Sequence, residues 1–161
     1  MSLISLLLLA AAVATPQELC TLLADQGFSG SRQWRAIGEA TWGCATARKK
    51  LPQGEPAGAS DLRYRVVGDQ GRARKSILEL RMRSPRGAQQ VLLRYWRTIE
   101  VLLRRLGLSA PPDLRRTVLS AGQGSWRVGE YSLVLSRRFN RGTHYDLWFM
   151  VELPPPSQNR K

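Results

Sequence analysis

Apolar residues follow two different spacings along this chain, and each spacing predicts one kind of element. Between residues 88 and 106, apolar side chains recur every three or four positions, which places them on one arc of an α-helix. Ser84-Pro85 precedes this segment and Gly107 ends it, as expected for helix boundaries. The pattern predicts a long amphipathic helix whose buried arc comprises Ala88, Val91, Leu92, Tyr95, Trp96, Ile99, Leu102, Leu103 and Leu106.

Alternation of apolar and polar residues predicts five strands. The first covers residues 34–44. The second and third, at 62–67 and 77–83, form a hairpin through the turn sequence GDQG at 68–71. The fourth and fifth, at 131–139 and 144–153, are joined by NRGT at 140–143. The adjacent apolar residues Ile77 and Leu78 interrupt the alternation, so we expect a bulge or register break there.

Two shorter helices complete the predicted order. Thr15, Pro16 and Glu18 form a helix start with Thr15 as N-cap, and Gly27 stops the segment. Residues 111–122 predict a short proline-initiated helix. The order α-β-β-β-α-α-β-β indicates an α+β fold: a five-stranded, largely antiparallel sheet packed by the N-terminal helix and one long central helix. In element order alone this resembles the type III secretion chaperones, and the resemblance transfers no residue and no function.

Residues 1–14 are typical of a secretory signal peptide. Leu3 to Leu9 supply a short apolar core, and Ala12-Val13-Ala14 supplies the small-residue cleavage pattern. We therefore expect cleavage after Ala14 and a mature protein in the periplasm or outside the cell. No transmembrane segment is expected after cleavage, because the apolar run is too short to span a bilayer. A single α+β domain then occupies residues 15–153, and residues 154–161 are predicted to be a disordered tail.

The two cysteines are predicted to form a disulfide. Cys20 falls on the first helix and Cys44 on the first strand, and an even pair in an oxidising compartment is bonded by default. The bond would pin the helix onto the inner face of the sheet. Two cysteines and one histidine do not make a plausible metal-ligand set, so neither a metal nor another cofactor is expected.

Charge is the strongest compositional signal. The chain has 25 Lys+Arg against 12 Asp+Glu, a formal net charge of +13. A positive charge of this size attracts anions, so the expected partner is an acidic protein or an anionic envelope polymer. A base-composition bias in the genome is an alternative source of the arginines. Nucleic acid is an unexpected partner, because no nucleic-acid motif is present and Tyr64 alternates to the face opposite Arg63 and Arg65.

Two surfaces are candidates for binding. On the polar side of the long helix, arginines surround two aliphatic residues that are candidate anchors. A solvated face is the alternative interpretation of this strip. The second candidate is the outer face of the arginine-rich hairpin at 63–83. The helix strip comprises Leu93, Arg94, Arg97, Val101, Arg104 and Arg105, and the hairpin surface comprises Arg63, Arg65, Arg81 and Arg83.

The sequence contains no recognisable catalytic motif. His144 is the single histidine, and no G-x-S-x-G sequence frames a nucleophile for it. We therefore expect a non-enzymatic binding or accessory protein of a bacterial-type envelope. The alternatives are a periplasmic inhibitor or immunity-type protein that blocks one enzyme or toxin, and an envelope hydrolase with an unrecognised carboxylate pair.

Overall fold

The computed structural model describes residues 14–30, 32–51 and 60–155. The described helices are α1 Pro16–Cys20, a 3-10 helix at Ala24–Gln26, α2 Ala88–Arg105 and α3 Leu114–Leu119. The described strands are β1 Arg35–Ala36, β2 Trp42–Ala45, β3 Lys49–Lys50, β4 Asp61–Asp69, β5 Arg72–Met82, β6 Gly124–Val128, β7 Tyr131–Arg141 and β8 His144–Glu152.

All of these strands form one antiparallel sheet. Its order is β1-β2-β4-β5-β8-β7-β6, and β3 pairs with the outer part of β4. The two predicted hairpins are β4–β5 and β7–β8, and they meet side by side because β5 pairs with β8. The predicted α+β class with a largely antiparallel sheet is therefore confirmed, although the sheet has eight strands in the described residues instead of five.

The described helices pack against one face of this sheet and form the core with it. The apolar arc of α2 is buried as predicted, from Val91 to Leu103. The hydroxyl of Tyr95 donates to the backbone oxygens of Leu78, at 2.9 Å, and Leu147, at 3.2 Å, which ties α2 to the two central strands. Burial raises the pKa of Tyr95 well above its ordinary value, so the hydroxyl keeps its proton and stays a hydrogen-bond donor.

The N-terminal segment confirms the predicted helix start and disulfide. Thr15 and Glu18 form a reciprocal capping box, and Pro16 occupies the first turn. Cys20 and Cys44 are bonded, with their Cα atoms 6.0 Å apart, and both are buried. The helical path is shorter than expected: α1 ends at Cys20, and a 3-10 turn continues to a left-handed Gly27.

The prediction of one continuous strand over residues 34–44 is wrong. This segment is a hairpin, because β1 pairs with β2 and the chain reverses where the Ile37 amide donates to the Thr41 carbonyl at 2.9 Å. The alternating positions at 36, 38 and 40 carry only alanine or glycine, which have no bulk to bury, so alternation there had no packing consequence. β3 and β6 were also missed, since each is short and lies at the edge of the sheet.

The predicted bulge at Ile77 and Leu78 is also misplaced. Both residues keep register and both are buried, although they lie on opposite faces of β5. The irregularity lies instead between Val67 and Gly68. A Cβ atom at Gly68 would lie 2.0 Å from the carbonyl oxygen of Arg72, so the close approach of the two strands requires glycine.

The predicted signal peptide falls almost entirely on residues 1–13, outside the described residues, so its presence and cleavage site stay predictions. At the other end, the Pro154 carbonyl accepts a 2.6 Å hydrogen bond from Arg72, and residues 156–161 lie outside the described residues. No helix in the described ranges is long and apolar enough to cross a bilayer.

Candidate functional site

The sheet face opposite the helices carries a concentrated set of charged side chains. We call it the open face, because none of the described helices packs on it. The register aligns its residues in rows across four strands. Successive rows contain Asp61, Arg81, Asp146 and Arg138; then Arg63, Glu79, Trp148 and Ser136; then Arg65, Ile77, Met150 and Val134.

Glu79 is the centre of the open face. Its side chain is 1% exposed, which would be very unfavourable for an isolated carboxylate. Three arginines surround it: Oε2 lies 3.1 Å from both Arg48 and Arg63, and Oε1 lies 2.5 Å from Arg65. The arginines are each about a quarter to a third exposed, so they close over the carboxylate and keep contact with solvent.

Two further carboxylates fix the neighbouring arginines. Asp61 accepts a hydrogen bond from Arg48 at 2.8 Å and lies 3.7 Å from Arg81. Asp146 lies 2.7 Å from Arg83. Arg48 therefore bridges Glu79 and Asp61, and the ion pairs form one connected network with a separate pair at its end.

The indole ring of Trp148 contacts the guanidinium groups of two arginines. The guanidinium of Arg138 lies 4.3 Å from the ring centroid and that of Arg65 lies 5.2 Å from it, distances typical of cation–π contacts. The ring is thus occupied by protein cations. It orders Arg65 and Arg138 on the surface.

Phe139 repeats this arrangement at the end of the open face. Its ring centroid lies 5.4 Å from the Arg83 guanidinium and 5.1 Å from that of Arg141. Unlike Trp148, the Phe139 side chain is largely exposed.

The resulting cluster has an excess of positive charge. Seven arginines share it with three carboxylates, so four positive charges have no compensating anion within the cluster. We call this set the open-face cluster: Arg48, Arg63, Arg65, Arg81, Arg83, Arg138, Arg141, Asp61, Glu79 and Asp146, with the rings of Trp148 and Phe139.

The structure brings together the four arginines that the sequence assigned to the hairpin surface. Arg63, Arg65, Arg81 and Arg83 all lie in the open-face cluster. Sequence reasoning missed the members that come from other strands and loops. Trp148 is one of them, because only the pairing of β5 with β8 and of β8 with β7 brings it beside the arginines.

The helix strip divides into two parts. Arg105 donates to both oxygens of Asp25 at 2.6 Å and ties the end of α2 to the 3-10 helix. This hydrogen bond lowers the pKa of Asp25 from 3.8 to about 2. The contact of Arg105 with Asp25 is therefore structural.

The rest of the strip faces solvent. Its remaining arginines are exposed, and within the described residues no carboxylate pairs with them: Arg94, Arg97 and Arg104. Leu93 and Val101 are half-buried, and Val101 packs against the core. A binding role for the strip stays a prediction.

His144 is exposed at the start of β8 and its Nδ1 atom lies 3.4 Å from the hydroxyl of Thr143. The neighbouring carboxylate, Asp146, is occupied by Arg83 at 2.7 Å. Asp146 is therefore engaged by an arginine and not by His144.

Fold and cluster together define an α+β domain with one antiparallel sheet, helices on one face and an ordered arginine surface on the other. A family model described as a family of unknown function, DUF6030, matches residues 10–161. The chain belongs to the DUF6030 family. Neither the comparison with curated proteins nor the comparison with solved structures gives a match.

Proposed function

We propose that this protein is an exported, non-enzymatic binding protein whose open face docks an acidic protein or an anionic envelope polymer. The observation that carries the proposal is the open-face cluster, in which seven arginines exceed three carboxylates by four charges. An excess of this kind on one surface attracts and orients polyanions.

The cluster is suited to binding because its arginines are already ordered. A free surface arginine loses side-chain entropy when it binds a partner, about 0.5–1.5 kcal/mol for each immobilised side chain. In the cluster, carboxylates or rings already restrain these side chains, as Glu79 restrains Arg63 and Trp148 restrains Arg138. The Arg63 and Arg81 side chains are still 31% and 36% exposed, so they can contact a ligand.

The spacing of the arginines supports an extended ligand. Alternate residues on one strand are about 7 Å apart and neighbouring strands are about 5 Å apart. Arg63 and Arg65 share β4, and Arg81 and Arg83 follow one another along β5 and its end. Alternate side chains of an extended acidic segment have the same repeat, so successive carboxylates can meet successive guanidinium groups.

The test compares two surfaces at equal charge. One variant combines Arg81→Gln with Arg138→Gln on the open face, and its matched control combines Arg94→Gln with Arg97→Gln on α2. Binding to immobilised polyglutamate and to poly(glycerol phosphate) is measured at several salt concentrations. We expect the open-face variant to bind about tenfold more weakly or worse and the α2 variant to bind like the wild type. The reverse result would assign binding to the helix strip, and equal small losses would indicate general electrostatic attraction.

A second candidate is an inhibitor or immunity-type protein that blocks a single enzyme. The exposed ring of Phe139 favours it, because aromatic and arginine side chains together are typical of protein–protein hot spots. Purification from envelope extract separates the two candidates. A one-to-one complex with an enzyme that loses activity supports inhibition, and retention on the polymer supports the first proposal.

A further inference from the structure

Phe139 has an unusual backbone conformation for an aromatic residue. Its φ is 47°, in the left-handed region, and its side chain is 53% exposed. It lies where β7 loses register with β8, between Arg138 and Arg141. A left-handed aromatic residue is strained, and such strain persists only where surrounding contacts impose it. Burial of the ring does not compensate for this strain, because the ring remains in solvent.

Arg137 provides the contacts that impose this conformation. Its guanidinium donates to Asn140 Oδ1 at 3.1 Å and to the Gly142 carbonyl at 3.4 Å, which fixes the turn beyond Phe139. It also donates to the carbonyl of Ala121 at 3.3 Å. The hairpin tip is thus held by a residue on the core side of β7, and the position of Phe139 is set before any partner binds.

Two arginines lie next to the Phe139 ring, and its side chain is still 53% exposed. Arg83 and Arg141 lie within 5.4 Å of its centroid, and Arg83 is itself fixed by Asp146 at 2.7 Å. An exposed apolar surface next to two cations matches a ligand that has an apolar group next to two anions. A pure polyanion has no group to pack on the ring, and a second copy of this chain would be repelled by its net charge of +13.

We infer that Phe139 is an apolar anchor and that the partner is an acidic polypeptide whose carboxylates flank an apolar side chain. The inference rests on the proposed function and narrows it from anions in general to proteins. In this arrangement Arg83 and Arg141 bind the carboxylates while the Phe139 ring packs against the apolar group. Arg137 is a positioning residue for this contact.

The test uses two synthetic peptides of equal length and charge, one alternating glutamate with serine and one alternating glutamate with leucine. Affinities are measured for the wild type, Phe139→Asn and Phe139→Tyr. Asparagine tolerates the left-handed conformation, so Phe139→Asn removes the ring and keeps the backbone. We expect the wild type to prefer the leucine peptide by about tenfold or more, Phe139→Tyr to keep that preference and Phe139→Asn to lose it.

The remaining outcomes separate the inference from the proposed function. Equal affinity of the wild type for both peptides overturns the anchor and leaves open-face binding in place. Failure of both peptides to bind overturns the inference, and it overturns the proposed function as well if the wild type also fails to bind polyglutamate and poly(glycerol phosphate). Binding to phosphatidylglycerol vesicles that depends on Phe139, without a peptide preference, overturns the inference in favour of a lipid surface. The Arg81→Gln, Arg138→Gln variant should weaken binding of both peptides equally, and thermal melts confirm that each variant is folded.

Discussion

Glu79→Gln tests whether the buried carboxylate organises the open face. The substitution keeps the shape of the side chain and removes its charge, while Arg48, Arg63 and Arg65 remain around it. Glutamine also turns an N–H donor toward guanidinium groups that can only donate. We therefore expect a loss of stability.

The size of the loss follows from the contacts. Two hydrogen bonds of good geometry, from Arg48 and Arg63 at 3.1 Å, lose the negative charge on their acceptor, while the guanidinium donors stay charged. Hydrogen bonds to charged groups contribute about 1.5–3 kcal/mol, so loss of the charge on the acceptor should cost about 1 kcal/mol for each bond. Repulsion among three guanidinium groups adds less than in a closed interior, because all three keep contact with water. The free energy of unfolding should fall by about 2–3 kcal/mol, equivalent to about 5–10 °C in Tm.

Denaturant unfolding of the wild type, Glu79→Gln and Glu130→Gln measures this effect. Glu130 is exposed in the turn between β6 and β7, so its substitution makes the same chemical change without a network and should alter stability by less than about 0.5 kcal/mol. Unchanged stability would refute the argument, because the arginines would then not depend on Glu79.

Three further predictions concern the Cys20–Cys44 disulfide, the end of α2 and His144. Cys44→Ser opens a loop with a sequence separation of 24 and should lower the free energy of unfolding by about 3 kcal/mol; an unchanged denaturation midpoint would show that the disulfide is dispensable. Arg105→Gln should raise the pKa of Asp25 from about 2 toward 3.8, as followed by NMR titration, while Arg104→Gln should not. Because the folded pKa of Asp25 is lowered, the Asp25–Arg105 pair stabilises the fold above about pH 4 and loses this contribution as the pH falls toward 2. An Arg105→Gln variant that is less stable than the wild type only in strong acid would contradict this prediction. His144→Ala should bind polyglutamate and fold as the wild type does, and peptidoglycan should remain intact with either protein; release of fragments that depends on His144 would revive the hydrolase alternative.

Local patterns were sufficient wherever one segment determines its own structure. The buried arc of α2 follows from its periodicity, and the start of α1 follows from the Thr15 and Glu18 capping box. The disulfide follows from pairing the only two cysteines. Alternation failed at residues 34–44 because small side chains satisfy the strand pattern without any burial to enforce it.

The open-face cluster could not be assembled from the sequence, because it depends on pairing between distant strands. Glu79 and Trp148 are neighbours only through the β5–β8 register, and their sequence positions give no indication of it. The conformation of Phe139 depends in addition on Arg137 and on the carbonyl of Ala121 in a separate loop. Alternation correctly placed Arg63, Arg65 and Arg81 outward, so the sequence identified part of the surface and missed the groups that order it.

Order, and not the number of arginines, distinguishes the open face from the α2 strip. Three arginines of α2 reach solvent without a carboxylate partner in the described chain, so binding there would first have to immobilise them. At about 0.5–1.5 kcal/mol for each side chain, that immobilisation costs about 1.5–4.5 kcal/mol, a factor of about 10 to 2,000 in affinity. On the open face, part of this cost has already been met during folding, through the contacts of Glu79, Asp61, Asp146 and Trp148. At equal charge, a polyanion should therefore bind the sheet in preference to the helix.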